Sequence, residues 1–125
     1  DLATRYRLVI CSDAIVSPGR VLRQLLEKHG VKQYFSGFAF SDEVGRSKPH
    51  RSMFDCAAKA VNVSLEEMVH IGDRHSNDID GPHAIGMKGI LFTASRDADK
   101  AGHSADALCE RYSDLLSIID DLAKD

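Results

Sequence analysis

The stretch HIGDRHSNDIDG, residues 70–81, places the three carboxylates of Asp73, Asp78 and Asp80 within eight residues. The apolar run MVHIG (68–72) leads directly into it and is typical of a buried strand. Like charges this close together repel each other unless a cation or hydrogen-bond donors lie between them. The stretch therefore indicates a strand that ends in a charged turn, a position at which α/β proteins bind ligands.

Strand-like runs alternate with helical stretches on both sides of this turn. The other predicted strands are RLVIC (7–11), GFAFS (37–41) and GILFT (89–93). Predicted helices run from Ser17-Pro18 to Gly30, from Pro49 to about Val61, from about Asn77 to Gly86, and over 112–125. A short helical turn is predicted at 64–67 and a polar loop at 93–106. This alternation predicts an α/β fold with right-handed βαβ units and a mostly parallel sheet.

The composition is that of an ordinary globular domain. The 125 residues are 43% hydrophobic and 28% charged, and their net charge is −3. With no basic cluster, nucleic acid is not expected as a partner, and no apolar run approaches the ~20 residues of a membrane span. The three cysteines form no CxxC pair, which predicts reduced thiols in a cytoplasmic protein. They are Cys11, Cys56 and Cys109.

Polar side chains follow three of the predicted strands. Ser12 ends the first strand, Lys48 follows the second, and Asp73 and Asp78 follow the third. Because parallel strands end at one edge of a sheet, these side chains are expected to meet there. Carboxylates, waters and phosphate oxygens are the usual ligands of Mg²⁺. A phosphate at this edge would also meet the N–H groups of a helix N-terminus. Together, these groups are the ones that proteins use to catalyse phosphoryl transfer.

Gly72 has a predicted role of its own, because glycine lets the backbone turn sharply after the strand. Each site residue also has a plainer interpretation. Ser12 would only end a strand, Lys48 would be a solvated surface charge, and Asp73 and Asp78 would be a turn acid and a helix N-cap. The combination and order of these residues favour the functional interpretation.

Three segments in this order resemble motifs of the haloacid dehalogenase (HAD) superfamily of hydrolases. The apolar run ending at Ser12 is similar to the second motif, SDEVGRSKP (41–49) to the third, and HIGDRHSNDIDGPHAIGMKGI (70–90) to the fourth. The resemblance implies that Ser12 and Lys48 bind the phosphoryl group and that Asp13 lies among the substrate-binding residues. It implies that Asp73 and Asp78 hold Mg²⁺, directly or through a water, and that all four of Ser12, Lys48, Asp73 and Asp78 are catalytic.

The first motif of that family, D-x-D-x-(T/V) after an apolar strand, does not occur in the 125 residues. LVICSDAIV has Ser12 before its acid, and LLSIIDDLAKD has adjacent acids and helical periodicity. We therefore expect 1–125 to be one partial, three-layer Rossmann-like (HAD-like) domain without a cap and without the central first-motif strand. A complementing N-terminal segment or a homo-oligomer would supply the missing strand pairing.

The resemblance implies a Mg²⁺-dependent phosphatase that acts on a small phosphorylated metabolite through an aspartyl-phosphate. Without the nucleophilic aspartate, the chain alone is expected to be inactive. The alternative is a non-catalytic, degenerate module that binds metal, phosphate or a partner protein. A 2-haloacid dehalogenase is a lesser alternative, because that chemistry needs no metal and the acidic pair with Lys48 favours a phosphatase.

Four other residues within the fourth-motif segment have plainer expected roles. Asp80 is expected to interact with the helix dipole, since no apolar strand precedes Asp78-Ile79-Asp80 as the first motif requires. Arg74 and His75 are either half-exposed loop side chains or substrate contacts. His70 is expected to be a hydrogen-bonded histidine within the sheet.

Overall fold

A computed structural model describes residues 5–12, 19–94, 97 and 99–123. The chain divides into two compact units, the N-terminal unit Asp1–Ser64 and the C-terminal unit Leu65–Asp125. Each unit contains a parallel sheet with helices packed against it. The predicted α/β fold with parallel strands is thus confirmed, and the single-domain organisation over 1–125 stays a prediction.

The N-terminal unit is built on two parallel strands. β1 pairs with β2 without offset, from Val9 opposite Gly37 to Ser12 opposite Phe40. A helical turn at Lys32–Tyr34 precedes β2. The elements are β1 (Val9–Ser12), α1 (Gly19–Lys28), β2 (Gly37–Phe40), α2 (Ser41–Val44) and α3 (Arg51–Val61).

Helix α3 covers one face of this sheet and runs antiparallel to its strands. Near the start of α3, the Met53 carbonyl accepts a 4.0 Å contact from the Cys11 thiol, close to the end of β1. At the other end of α3, the Val61 carbonyl accepts a hydrogen bond from the Arg7 guanidinium, just before β1. The predicted inner face of this helix is confirmed, because its apolar residues are buried: Met53, Phe54, Ala57, Ala58 and Val61.

Helix α1 is less well covered. The predicted left-handed end of the helix is confirmed, because Gly30 has a φ of +72° two residues after Lys28. Of its predicted apolar face, Leu25 is 46% exposed, while Val21, Leu22 and Leu26 are half-buried. The predicted start of this helix at Ser17-Pro18 lies outside the described residues.

The C-terminal unit holds three parallel strands in the order β3-β4-β5. They are β3 (Val69–Gly72), β4 (Lys88–Phe92) and β5 (Ala107–Cys109). A wide, π-type helical turn, Ser76–Asp80, continues into the short helix α4 (Gly81–Ala84), and α5 (Leu115–Ala123) follows β5. The predicted turn after Ser64 is confirmed at Leu65–Glu67.

The helical segment after β3 is more irregular than predicted. One reason is Pro82, in the first turn of α4. Proline has no N–H to donate to the carbonyl four residues earlier, so the regular helical ladder is interrupted at Asp78. The predicted end of this segment is confirmed by Gly86, whose φ is +85°.

The strands β1 and β3 are less buried than the strands with which they pair. Every residue of β1 and of β3 is half-buried, whereas β2 and β4 are buried at all positions but one. β1 and β3 each have one hydrogen-bonded neighbour strand among the described residues.

All three cysteines are unbridged thiols. Cys109 is buried, and this burial raises the pKa of its thiol. Cys11 and Cys56 are half-buried. Within the described part of the chain, no helix has both the length and the apolar character needed to cross a membrane.

Candidate active site

The N-terminal unit places Ser12 and Lys48 at the same end of its sheet. Ser12 is the last residue of β1. Lys48 lies in the turn that leads into α3, and the antiparallel course of α3 puts its first residues beside the end of β1. Both side chains are half-buried. Asp13, the third predicted phosphate-side residue, lies outside the described residues.

The start of α3 is set by His50, not by Pro49 as predicted. The His50 ring nitrogen Nδ1 accepts a 3.1 Å hydrogen bond from the Ser52 N–H and lies 2.8 Å from the Ser52 hydroxyl. This contact caps the helix, which therefore begins at Arg51. The cap at His50 holds the turn that carries Lys48. The Lys48–Pro49 peptide bond in this turn is cis.

The two acids of the segment SDEVGRSKP have structural partners. Both carboxylate oxygens of Asp42 accept the Gly19 N–H at 3.1 Å and so cap the start of α1. The Glu43 carboxylate pairs with both terminal nitrogens of Arg23, at 2.5 and 2.7 Å. This hydrogen bonding holds the pKa of Glu43 below its ordinary value and raises the pKa of Arg23. These two acids of helix α2 therefore connect α1 to α2.

In the C-terminal unit, the charged turn is organised around Asp78. Asp78 alone among the described polar and charged residues is buried, with 3% of its surface exposed. Its carboxyl group lies against the Cα of Gly72, where an added Cβ would be 2.1 Å from the carboxyl carbon. Gly72 does not adopt a positive φ. The need for glycine thus comes from this close approach, not from the sharp turn that we predicted.

Donors on two sides bind the Asp78 carboxylate. His70 Nε2 lies 2.8 Å from Oδ1, and the Arg74 N–H donates to Oδ2 at 3.0 Å. The expected hydrogen-bonded sheet histidine is confirmed at His70, whose side chain is 11% exposed. Its partner was not predicted, although His70 and Gly72 are two residues apart on one strand and so share a face.

Asp73 lies at the tip of the same turn, half-buried between Gly72 and Arg74. Asp78 contacts the residues on both sides of Asp73, and its own N–H donates to the Arg74 carbonyl at 2.8 Å. The turn is thus closed by hydrogen bonds. Asp73 and Asp78 belong to one turn of this unit, while Ser12 and Lys48 lie toward the same end of the sheet of the other unit.

Two N–H groups at the start of the helical segment, where we expected a phosphate to bind, donate to carboxylates of the chain itself. The Arg74 N–H donates to Asp78, and the His75 N–H donates to Asp99 Oδ2 at 2.9 Å. Carboxylates of the chain itself therefore occupy these two positions, as anions do at a helix N-terminus.

His75 ties the segment after β4 to this turn. Its Nε2 accepts the Ser104 N–H at 2.9 Å and lies 3.0 Å from the Ser104 hydroxyl. Its Nδ1 lies 3.3 Å from Asp80, whose side chain is 61% exposed. The structure thus gives His75 a structural role in the turn. The partners Asp99 and Ser104 were missed, because nothing local in the sequence connects residues 24 to 29 positions apart.

The turn contains two carboxylates, those of Asp73 and Asp78, and carboxylates are the kind of ligand that Mg²⁺ takes. Among the described residues, no three His, Cys, Asp or Glu side chains are grouped as a complete protein cage for a metal. Mg²⁺ does not need such a cage, because one or two carboxylates with waters and phosphate oxygens are its usual ligands. Asp73 contributes a half-buried carboxylate, and the buried, hydrogen-bonded Asp78 is suited to orienting the turn.

Parallel α/β folds bind ligands beyond the carboxyl ends of their strands, and each unit has polar or charged side chains at that end. A family model described as HAD-hydrolase-like matches residues 45–115. The chain therefore belongs to the HAD-like hydrolase family, as the motifs predicted.

The relatives that resemble this chain include several named phosphatases. It is 30% identical over 116 residues to a glyceraldehyde 3-phosphate phosphatase of Methanopyrus kandleri, covering 88% of this chain and 50% of that protein. It is 32% identical over 89 residues to a ribulose-1,5-bisphosphate 5-phosphatase of Halopiger xanaduensis, covering 71% of this chain and 37% of that protein. The chain spans about half or less of the length of these curated relatives.

Solved structures agree with the fold. A HAD phosphatase from Thermococcus onnurineus superposes with a TM-score of 0.80 at 26% identity, covering 93% of this chain and 51% of that chain. The chain thus spans about half of that structure as well.

Proposed function

We propose that this chain is the C-terminal part of a HAD-type, Mg²⁺-dependent phosphohydrolase that acts on a small phosphorylated metabolite. The observation that carries the proposal is the position of the four motif residues. Ser12 and Lys48 lie at the carboxyl end of the N-terminal sheet, and Asp73 and Asp78 at the carboxyl end of β3. Relatives named for phosphorylated sugars support this substrate class.

In the proposed reaction, the Ser12 hydroxyl donates a hydrogen bond to a phosphate oxygen, and the Lys48 ammonium neutralises phosphate charge. Asp73 would hold Mg²⁺, and Asp78 would orient the turn or bind a metal water. The bound ion would neutralise charge on the transferring phosphoryl group. The first aspartate of a first-motif segment would attack phosphorus, and the second aspartate of that motif would give its proton to the leaving ester oxygen. The same second aspartate would then take a proton from the water that releases phosphate from the aspartyl-phosphate.

The partial burial of two strands supports the proposal that a further segment pairs with them. β1 and β3 are half-buried along their whole length, and each has one described neighbour. A strand that is half-buried along its whole length beside a more buried neighbour is typical of the border of a sheet, where a further strand can add. We propose that an N-terminal segment, or a second copy of the chain, supplies pairing to these strands.

Complementation tests the function directly. The 125-residue chain is assayed with Mg²⁺ and para-nitrophenyl phosphate, first alone and then fused to a first-motif segment that ends in D-x-D-x-(T/V). We expect no turnover alone and hydrolysis in the fusion. Lys48→Met and Asp73→Asn in the fusion should each lower kcat at least about 100-fold, because each removes charge that stabilises the transition state.

The control is a fusion in which the first aspartate of the added motif is asparagine, which should be inactive. A folded fusion that binds Mg²⁺ but hydrolyses no phosphate ester would contradict the proposal. That outcome would favour the second candidate, a non-catalytic module that binds metal, phosphate or a partner protein. Halide release from a 2-haloacid without metal would instead favour a dehalogenase.

A further inference from the structure

The His70–Asp78 contact crosses the base of the charged turn. His70 and Gly72 lie on the same face of β3, and the Asp78 carboxylate rests on that face. On the next strand, Gly89 lies opposite His70. A Cβ at Gly89 would be 3.1 Å from the Asp78 carbonyl. Small residues on two strands thus make room for Asp78 directly over the sheet.

The direction of this hydrogen bond follows from its chemistry. When Asp78 is ionised, its carboxylate can only accept, so the proton between the two groups then belongs to His70 Nε2. Oδ1 of Asp78 is occupied by His70 and Oδ2 by the Arg74 N–H. His70 therefore holds one side of the carboxylate, while the turn that carries Asp73 is attached to the other side.

We propose that His70 is a positioning residue for the divalent cation, acting through Asp78 on the Asp73 turn. This inference rests on the proposed metal site. Partners that orient the groups around a metal contribute strongly to its affinity, and their removal typically weakens binding about 10- to 100-fold. This positioning role requires an N–H donor at the position of Nε2. It does not require the imidazole ring itself.

Two amide substitutions separate these requirements. In His70→Gln, the side-chain amide extends to about the place of Nε2, whereas the shorter amide of His70→Asn does not reach Asp78. Mg²⁺ affinity of the full chain is measured by the shift of the Asp73 backbone amide in two-dimensional NMR. We expect His70→Gln to bind within about threefold of wild type and His70→Asn about 10-fold or more weakly.

A matched control lies in the same unit. His83 Nε2 is 2.7 Å from the Asp106 carboxylate, a contact of similar length that does not touch the 72–78 turn. His83→Asn should leave Mg²⁺ affinity unchanged. A merely structural His70 would instead give equal Mg²⁺ affinities in the folded Gln and Asn variants, which would overturn the proposal.

A measurement on the wild-type chain covers the case in which the Asn variant fails to fold. Mg²⁺ should shift the Nε2–H resonance of His70, with the same saturation curve as the Asp73 amide, and leave the Nε2 resonance of His83 in place. A saturating shift at Asp73 without one at His70 would overturn the inference alone. If Mg²⁺ produces no saturable shift near Asp73, the proposed metal site fails and this inference fails with it.

Discussion

Two histidine–aspartate pairs in the C-terminal unit have similar hydrogen bonds in different surroundings. His70 and Asp78 meet at 2.8 Å with side chains 11% and 4% exposed, and His83 and Asp106 meet at 2.7 Å with 32% and 34% exposed. Water can replace a lost partner at the exposed pair but not at the buried one. A hydrogen bond of the same length therefore matters more to the fold around Asp78.

The exposed pair has a different task, which is to join the start of β4 to the start of β5. The Asp106 carboxylate accepts the Gly89 N–H at 2.8 Å, and the Asp106 N–H donates to the Gly89 carbonyl at 2.9 Å. Partial burial works against the charge of Asp106, but the hydrogen bonds from Gly89 and His83 outweigh it and lower the pKa of Asp106. The pair stabilises the sheet, whereas the buried pair shapes the candidate site.

The largest effect is expected from Gly72→Ala. The new Cβ would lie 2.1 Å from the Asp78 carboxyl carbon, so either the strand or the carboxylate must move. Overpacking together with the loss of buried hydrogen bonds should lower the free energy of unfolding by roughly 2–4 kcal/mol, measured by urea denaturation.

Gly89→Ala is the matched control for that substitution. Its Cβ would meet the flexible end of Ile79 at 3.0 Å and the Asp78 carbonyl at 3.1 Å, which smaller movements can relieve. We expect a loss smaller than that of Gly72→Ala. Equal stabilities for the two variants would show that Asp78 is not held against Gly72.

A smaller difference should separate Asp78→Asn from Asp106→Asn. An amide keeps the shape of the carboxylate but presents an N–H toward one of its two donors. At the buried Asp78 this should cost about 1–3 kcal/mol, and at Asp106 less than about 1 kcal/mol, because water reaches that site. Urea midpoints of the two variants measure the difference, and a larger loss at Asp106 would reverse the comparison.

The smallest effect is a pH dependence at Asp106. Because folding lowers its pKa from the ordinary value of 3.8, its ionised form stabilises the folded chain. That contribution is fully present above the ordinary pKa and is lost as the pH falls through the lowered folded value. The stability difference between wild type and Asp106→Asn should therefore hold from pH 7 to about pH 5 and shrink below about pH 4.

Urea denaturation of both proteins across this pH range gives the measurement. Carboxylates other than Asp106 titrate in both proteins and cancel in the difference. A difference that stays constant down to pH 3 would mean that Asp106 gains nothing from its charge.

Local patterns predicted most elements of both units. The strand ends came within two residues of those observed, the left-handed Gly30 ended α1, and the spacing of Met53, Phe54 and Ala57 identified the buried side of α3. These features depend on residues within one or two turns of each other, which a sequence displays directly.

The elements that the sequence did not predict depend on contacts between residues far apart in the chain. β5, at Ala107–Cys109, has only three residues and is a strand because it pairs with Ile90–Phe92. The short helix α2 was not predicted either, and it carries Asp42, whose partner Gly19 lies 23 positions away. No local periodicity signals such elements, because their stability comes from partners that only folding brings near.

The sequence by itself determined the family and the parallel α/β fold, because motif order and hydrophobic period are properties of the chain. It also predicted which residues would hold phosphate and a cation. Only the tertiary structure decided how the charged turn is built. It buried Asp78 against Gly72, gave its two oxygens to His70 and Arg74, and placed Asp99 on the His75 N–H. A buried charge requires donors, and which donors reach it depends on distances that exist only after folding.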